Sequence, residues 1–522
     1  MKTPPSQVVR KLNWPLRILL VAILLFTGIR IFAFVMVGDS AKAAVTAELV
    51  QNNPDATNLV VVVHGGRGDK AAMQDVLDVI SHERKGADVM FVKFPSRVFS
   101  NADCFKISRQ IRDAINTRYT AKQLSEKPYA NIELVGYSMG ALLLRKAYVY
   151  GYGATQDCPP AENAGISKSA ETFPQDWVKK VDRFVLLAGM NRGWTTRPQP
   201  KGATFKELWV RFEMESGKFI GWATNTAGMI RQCERGEPFV ANLRMQWLEV
   251  LRKKELEAES SDSARTTRGL TVVQLLGDID DRVSAEDSRD VSVAQGFVWV
   301  QMNQTSHETS IEFKGSAIAR ARAERFKEAF DDKQIERLRR MNPAKPTEED
   351  ENVVEAVIIL HGIRDRGEWT SGFERQLQDH FLKRHPDDDK KLLIYRPTYG
   401  YFPMGSFLLG NERSKNVRWF MDEMTELKAR YPKLTDIHFI GHSNGTYVLA
   451  KALQDYKALR IKKIILAGSV LPKTFNWTDP ALRDRFDKVQ NYSGRGDWVV
   501  GWFPRLFEFR FFTGFKGPFL VA

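Results

Sequence analysis

Cysteine is scarce in this chain: Cys104, Cys158 and Cys233 are the only three among 522 residues. They have neither CxxC spacing nor clustered histidines nearby, so neither a zinc site nor a disulfide framework is indicated. One bridge with a leftover thiol is the most an oxidising compartment could make of them. Also missing is any Lys/Arg block with interleaved aromatics. The 77 Lys+Arg outnumber the 63 Asp+Glu for a net charge of +14, but the basic residues are scattered. That distribution argues against nucleic acid as a partner and leaves attraction to anionic lipid or to an acidic substrate.

What is present suffices for more than one core. A chain of 522 residues is too long for one ordinary core, so two domains plus connecting material is the expectation. From Ile18 to Gly38 the sequence reads ILLVAILLFTGIRIFAFVMVG, interrupted only by Arg30. At about 1.5 Å rise per residue this run covers roughly 30 Å of hydrocarbon, enough for a membrane helix. An arginine near the bilayer centre costs about 2.5–3.5 kcal/mol, but Arg30 lies past the middle and can snorkel. A cleaved signal peptide is the competing reading, because AKA at 41–43 has the small-x-small form of a cleavage site. The run is longer than a typical signal core, which favours an uncleaved anchor. Within the basic segment 1–17, Lys2, Arg10, Lys11 and Arg17 place the amino terminus in the cytoplasm by the positive-inside rule. The rest of the chain is then extracytoplasmic, periplasmic in a Gram-negative bacterium.

Beyond the run, short apolar strands alternate with amphipathic helical patterns. The series is NLVVVVHGG, a helix around AAMQDVLDVISHER, ADVMFVKF, a helix across 105–118, NIELVGY, a helix from Met139, and RFVLLAG. It resumes with LTVVQLLGD, GFVWVQM and a closing helix from Ala317 to Phe330. Such alternation predicts an α/β fold with a mostly parallel sheet flanked by helices. Between them a long insertion, about 194–265, carries Trp194, Trp209, Trp222 and Trp247. This is where a lid is expected, its aromatics forming either the lid's own core or an apolar acyl-binding wall. These elements make a first domain over 57–335. Residues 336–352, with two prolines and a run of acids, read as a linker. The same order then restarts in a shorter second domain, 353–522: AVIILHG, KLLIYRP, DIHFIGHSNG, IKKIILAGS and FDKVQNYSGRGDWVV. The chain is an internal duplication at domain scale.

Gly136-Tyr137-Ser138-Met139-Gly140 and Gly441-His442-Ser443-Asn444-Gly445 each fit G-x-S-x-G between a strand and a helix. There the serine sits on a sharp, strained turn that lifts its hydroxyl above the sheet, and the glycines admit neighbouring backbone. With His-Gly upstream in each half, at His64-Gly65 and His361-Gly362, both halves resemble α/β-hydrolases, the first being similar to lipases and esterases. The resemblance implies two tandem α/β-hydrolase-like domains and, in the first, a Ser-His-Asp triad. Ser138 is its nucleophile, and the backbone N–H groups of Gly66 and Met139 form its oxyanion hole. The family's chain order is Ser, acid, His. Gly277-x-x-Asp280-x-x-Val283 matches the acid turn, with Asp278 and Asp281 as nearby alternatives, and His307 is the only histidine downstream within that half. No metal or organic cofactor is implied.

The second half departs from the pattern. Ser443, Asp497, Ile363 and Asn444 match the nucleophile, acid and oxyanion positions of a possible second site, but no histidine follows His442. This half is expected either to be a degenerate or truncated hydrolase or to take a histidine from an unexpected place. Three activities stay open: hydrolysis of carboxylic esters, with lipid-derived esters suggested by the anchor; acyl transfer to an alcohol through the same triad; and non-catalytic binding of lipid or protein. The complete set Ser138, Asp280 and His307 favours the first two over the third, and hydrolysis is the leading expectation.

Overall fold

The computed structural model describes residues 44–492 except for 67, 97–99, 155–173, 196–227, 260–269, 281, 284–286, 288–296, 342–351, 363–369, 385–388, 400–409, 432, 473 and 483. Before residue 44 it describes only 18, 20, 21, 23, 24, 27 and 28. Ile18, Leu20, Val21, Ile23 and Leu24 are helical there and more than half exposed. The rest of the expected anchor at 18–38 lies outside the described residues, among which no helix is long and apolar enough to cross a membrane.

The first half runs β1 (Thr46–Gln51), β2 (Asn58–Val63), α1 (Gln74–Glu83), β3 (Asp88–Lys93), α2 (Cys104–Gln123), β4 (Asn131–Tyr137), α3 (Met139–Gly151) and β5 (Val181–Leu187). It continues with α4 (Gly228–Gln232), α5 (Pro238–Glu259), β6 (Thr271–Gly277), β7 (Phe297–Met302), α6 (Ala317–Glu328) and α7 (Asp332–Met341). Its sheet has the order β1-β3-β2-β4-β5-β6-β7, parallel except for β1. Alternate residues of the central strands feed opposite layers, as a pleated strand requires. Val61, Val63, Leu134 and Leu186 join one core, Val60, Val62, Val135 and Leu187 the other. Helix starts are set locally: Asp103 accepts the Phe105 N–H at 3.0 Å before α2, and Ser316 accepts the Ala319 N–H at 3.0 Å before α6.

The second half runs β8 (Val353–Leu360), α8 (Thr370–Arg384), β9 (Lys391–Tyr395), α9 (Gly410–Arg430), β10 (Asp436–His442), α10 (Asn444–Asp455), β11 (Lys463–Ala467) and β12 (Lys488–Tyr492). Its sheet, β12-β11-β10-β8-β9, is wholly parallel. Read from β9, this is the order of β3-β2-β4-β5-β6, so the repetition extends to strand order. Register matches too: Gly136 lies opposite Val63, and Gly441 opposite Leu360.

The described residues add to these expectations. Ahead of residue 57, β1 pairs antiparallel with β3; its residues are exposed or half-buried and carry no apolar signal. Past 335, α7 buries Ile335 and Leu338 in the same core as β4 and β5. The insertion, in its described part, bridges the halves. Val240, Leu243 and Trp247 of α5 pack into the first core, while Ala241 and Met245 of the same helix pack into the second. Trp247 stands edge-on to Phe184 and Tyr148 at 5.0 and 5.9 Å, which makes it core. Trp209 and Trp222 lie outside the described residues.

Charged groups are buried where the halves meet. Arg244 of α5 and Arg192 after β5 both reach Asp422 and Glu426, one turn apart on α9, and Arg235 also grips Asp422. Burial alone would push the Asp422 carboxyl up, but the Arg244 guanidinium, a hydrogen bond from Arg235 and the charge of Arg192 hold it below the usual range. One turn earlier on α9 the polarity reverses, with Arg418 pairing with Glu234 and Glu237.

Candidate active site

Ser138 links β4 to α3 with φ 52° and ψ −122°, a left-handed conformation that costs a non-glycine residue about 1–3 kcal/mol. The Ser138 N–H donates to Leu187 O at 3.0 Å, and Ser138 O accepts from the Ala141 N–H at 3.1 Å. The turn also needs backbone to pass close by. A Cβ on Gly140 would lie 2.2 Å from His64 O, and one on Gly65 would lie 2.8 Å from Ser138 Cβ.

The structure brings Ser138, His307 and Asp280 into one hydrogen-bonded chain. His307 Nε2 lies 2.8 Å from Ser138 Oγ, and His307 Nδ1 lies 2.9 Å from Asp280 Oδ2. An ionised carboxylate can only accept, so Nδ1 carries the proton and Nε2 turns its lone pair toward the Ser138 hydroxyl. Asp280 divides its work between its oxygens: Oδ1 accepts the N–H groups of Arg282 and Val283 at 3.0 and 2.8 Å, leaving Oδ2 for the imidazole. Asp278 is turned elsewhere and accepts the Thr305 N–H at 2.9 Å. Burial would raise its pKa, but backbone N–H groups of Thr305 and Gln304 hold it below the ordinary carboxylate value. Asp281 lies outside the described residues.

Several residues that hold His307 were missed in the sequence. The Tyr137 hydroxyl donates to His307 O at 3.0 Å, and the Ser310 hydroxyl donates to the same oxygen at 2.7 Å. Burial, helped by the charge of Asp280, pushes the Tyr137 phenol well above its ordinary value, so it stays a donor. Arg322 of α6 clamps the whole loop, donating to Thr305 Oγ1, Gln304 O and Thr309 O at 3.1, 3.0 and 3.0 Å. Its signal was available: Arg322 falls on the buried stripe of Ala319, Ala323 and Phe326, where a charge needs partners.

Gly66 and Met139 are adjacent, a Cβ on Gly66 lying 3.8 Å from Met139 Cε. Met139 opens α3, so its N–H is among those with no acceptor inside the helix. Behind this turn, His64 is buried and stacked on Phe94 at 4.2 Å. Its Nε2 accepts the Phe94 N–H at 3.1 Å, and Nδ1 therefore donates to Gly65 O at 2.6 Å. Burial lowers the His64 pKa from 6.5 to about 4 against the Gly65 bond, with Lys93 adding to the shift and Asp69 opposing it. An unfolded chain takes up a proton here that the folded one refuses. The contribution is fully present above pH 6.5 and is lost as pH falls toward 4, amounting to about 3 kcal/mol. His64→Asn should therefore flatten the fall of Tm with pH across this window. A slope as steep as the wild type's would contradict the assignment.

The second half reproduces the turn. Ser443 has φ 50° and ψ −115°, its N–H donates to Ala467 O at 3.0 Å, and a Cβ on Gly362 would lie 2.8 Å from Ser443 Cβ. His361 Nδ1 meets Gly362 O at 2.9 Å, as His64 meets Gly65. No described histidine hydrogen-bonds the Ser443 hydroxyl: His361 Nε2 meets Thr398 Oγ1, His438 pairs with Glu355, and His380 is exposed on α8. Asn444 Nδ2 donates to the Tyr399 hydroxyl at 3.1 Å, and that hydroxyl donates to His361 O and Gly362 O. Ile363, His385 and Asp497 lie outside the described residues.

No family model matches the chain, and no curated protein does. Among solved structures, a Bacillus licheniformis lipase is 12% identical with a TM-score of 0.28, covering 51% of this chain and 91% of its own. Est1E from Butyrivibrio proteoclasticus is 14% identical with a TM-score of 0.30, covering 55% and 93%. A lipase-esterase related protein from Clostridium acetobutylicum is 13% identical with a TM-score of 0.29, covering 55% and 99%. The functional reading rests on the geometry at Ser138.

Proposed function

We propose that this protein is a serine hydrolase of carboxylic esters, with Ser138, His307 and Asp280 as its triad in the first half. The observation that carries this reading is the hydrogen-bonded chain from Ser138 Oγ through His307 to Asp280 Oδ2, ending on a strained serine at a strand's carboxyl end. Ser138 Oγ attacks the acyl carbonyl while His307 Nε2 takes its proton. The oxyanion that forms is met by the N–H groups of Gly66 and Met139. His307 then returns the proton to the departing alkoxide, leaving an ester on Ser138. Water repeats the sequence, losing a proton to His307, and releases the acid. Asp280 keeps the imidazole in the tautomer this requires.

Two carboxylates near His307 allow a sharp test. Asp280→Asn should lower kcat for a p-nitrophenyl ester by about 10⁴-fold, because the wrong tautomer then faces Ser138. Asp278→Asn should lower it much less, since Asp278 supports only the loop. Equal losses would remove Asp280 from the proposed role.

The second half, where no described histidine hydrogen-bonds Ser443, is read as non-catalytic. The run at 18–38 is proposed as a membrane anchor that places both halves outside the cytoplasm, which makes lipid-derived esters the first substrate class to try. Release of the full chain from membranes by alkaline carbonate would contradict the anchor. Equal rates on soluble and micellar esters would count against the substrate class.

A further inference from the structure

The loop 188–195 runs from the nucleophile turn to the boundary between the halves. Its start is strained: Ala188 has φ 43°, directly after the Leu187 carbonyl that accepts the Ser138 N–H. Such a conformation in a non-glycine residue persists only where the surroundings over-determine it. The Met190 N–H then turns back to Ser138 O at 3.4 Å, and Gly189 packs so tightly that a Cβ there would lie 3.1 Å from Ala141 Cβ of α3. One side of the loop is tied down within the first half, where Arg145 of α3 donates to Asn191 O at 3.0 Å.

The other side is tied to the second half. Arg192 is buried and reaches Asp422 Oδ2 and Glu426 Oε1 of α9, both at 3.0 Å. The Arg192 N–H donates to Asp287 O at 2.9 Å, and the buried Asp287 side chain accepts from Thr195 and pairs with Arg235, which itself grips Asp422. Asp287 lies seven residues beyond Asp280. The loop after the nucleophile turn and Asp287, beyond the acid turn, are therefore both linked to Asp422 of α9, through Arg192 and Arg235. A buried guanidinium keeps its place only while it is paired, so these carboxylates fix where Arg192 sits and hence how the loop closes on Ser138.

We infer that the carboxy-terminal half serves as an in-cis support for the first site, with Asp422 and Glu426 holding Arg192 as a positioning residue for the Ser138 turn. This rests on the reading of Ser138 as the nucleophile. It explains why this half presents two buried acids to three arginines of its neighbour. A merely structural interface predicts that any broken ion pair there has the same consequence. Positioning predicts that only those leading to the loop affect the chemistry.

The test compares Asp422→Asn with Arg418→Gln in the full chain. Both break ion pairs on α9, but the half-buried Arg418 meets Glu234 and Glu237 and not Arg192. Asp422→Asn should lower kcat on a p-nitrophenyl ester by about 10- to 100-fold with KM nearly unchanged, and should speed amide exchange across 188–195. Arg418→Gln should lower Tm while leaving kcat and that exchange within about twofold of wild type. If Asp422→Asn fails to fold, Glu426→Gln removes one of the two Arg192 contacts and should shift both readouts the same way. Equal effects of the two broken pairs, or unchanged exchange in the loop when the acid is lost, would overturn the inference. A wild type without esterase activity whose loop exchange still responds only to Asp422 and Glu426 would sink the hydrolase reading and leave the coupling standing.

Discussion

Ser138→Ala should leave a folded protein with ester turnover reduced by about 10⁴- to 10⁶-fold. The substitution removes one oxygen and its hydrogen bond to His307 at 2.8 Å, and it leaves the φ of 52° no more strained than before, so Tm should move little. His307→Ala should be about as severe, and the double variant scarcely worse than either, because nucleophile and base act as one unit. The matching substitution Ser443→Ala should leave turnover unchanged, since no described histidine hydrogen-bonds that hydroxyl. Steady-state kinetics on a short-chain p-nitrophenyl ester, with Tm measured alongside, separates these outcomes. Retained turnover in Ser138→Ala, in a sample free of contaminating esterase, would remove the basis of the proposed function.

Gly140→Ala should be the most damaging single methyl in the first half. Its Cβ would lie 2.2 Å from His64 O and 2.6 Å from Val63 O. Both are backbone atoms of β2 and the turn after it, and neither can rotate away. Relief requires α3 to withdraw from the sheet, which uncovers apolar surface at Ala141, Leu142 and Leu144, all fully buried. We expect a loss of about 3 kcal/mol or more in stability. Activity should fall with it, because His64 O adjoins the turn that carries Gly66. Gly86→Ala is the control, since a Cβ there meets nothing within 4 Å and should change stability by less than about 1 kcal/mol. Urea unfolding of the two variants decides the matter. Comparable midpoints would mean that Gly140 is not the close contact it is taken to be.

The features legible in the sequence are those with local causes. The buried parallel strands are continuous apolar runs, the two serine turns are written by paired glycines, and His307 is the one histidine after the acid turn within the first half. Spacing favours Asp280 over Asp278, and of these two Asp280 reaches the imidazole while Asp278 bonds the Thr305 N–H. The features that escaped depend on partners far away in the chain. β1 carries too little apolar character to announce itself, and it is ordered by pairing with β3. The helix 238–259 has apolar residues on two faces because it serves two cores, a pattern indistinguishable in sequence from the packing of a lid. Arg192, Arg244, Asp422 and Glu426 read as ordinary surface charges until the fold buries them together. Their separation in sequence, 230 residues for Arg192 and Asp422, leaves no periodic trace.

The two serine turns also share a set of local features. Ser443 keeps the left-handed conformation, the close glycine and the upstream histidine, all of which follow from strand, turn and helix geometry. The catalytic histidine comes from a separate loop, and the second half shows no counterpart of β7 or of the His307 loop among its described residues. Backbone strain is thus common to both serines, and among the described residues the hydrogen bond to a histidine distinguishes Ser138.

The most direct measurement is labelling of the full chain with a fluorophosphonate, which reacts only with an activated serine, followed by peptide mapping of the adduct. The account predicts modification of Ser138, its loss in His307→Ala, and no adduct on Ser443. An unmodified Ser138 in folded protein would contradict it.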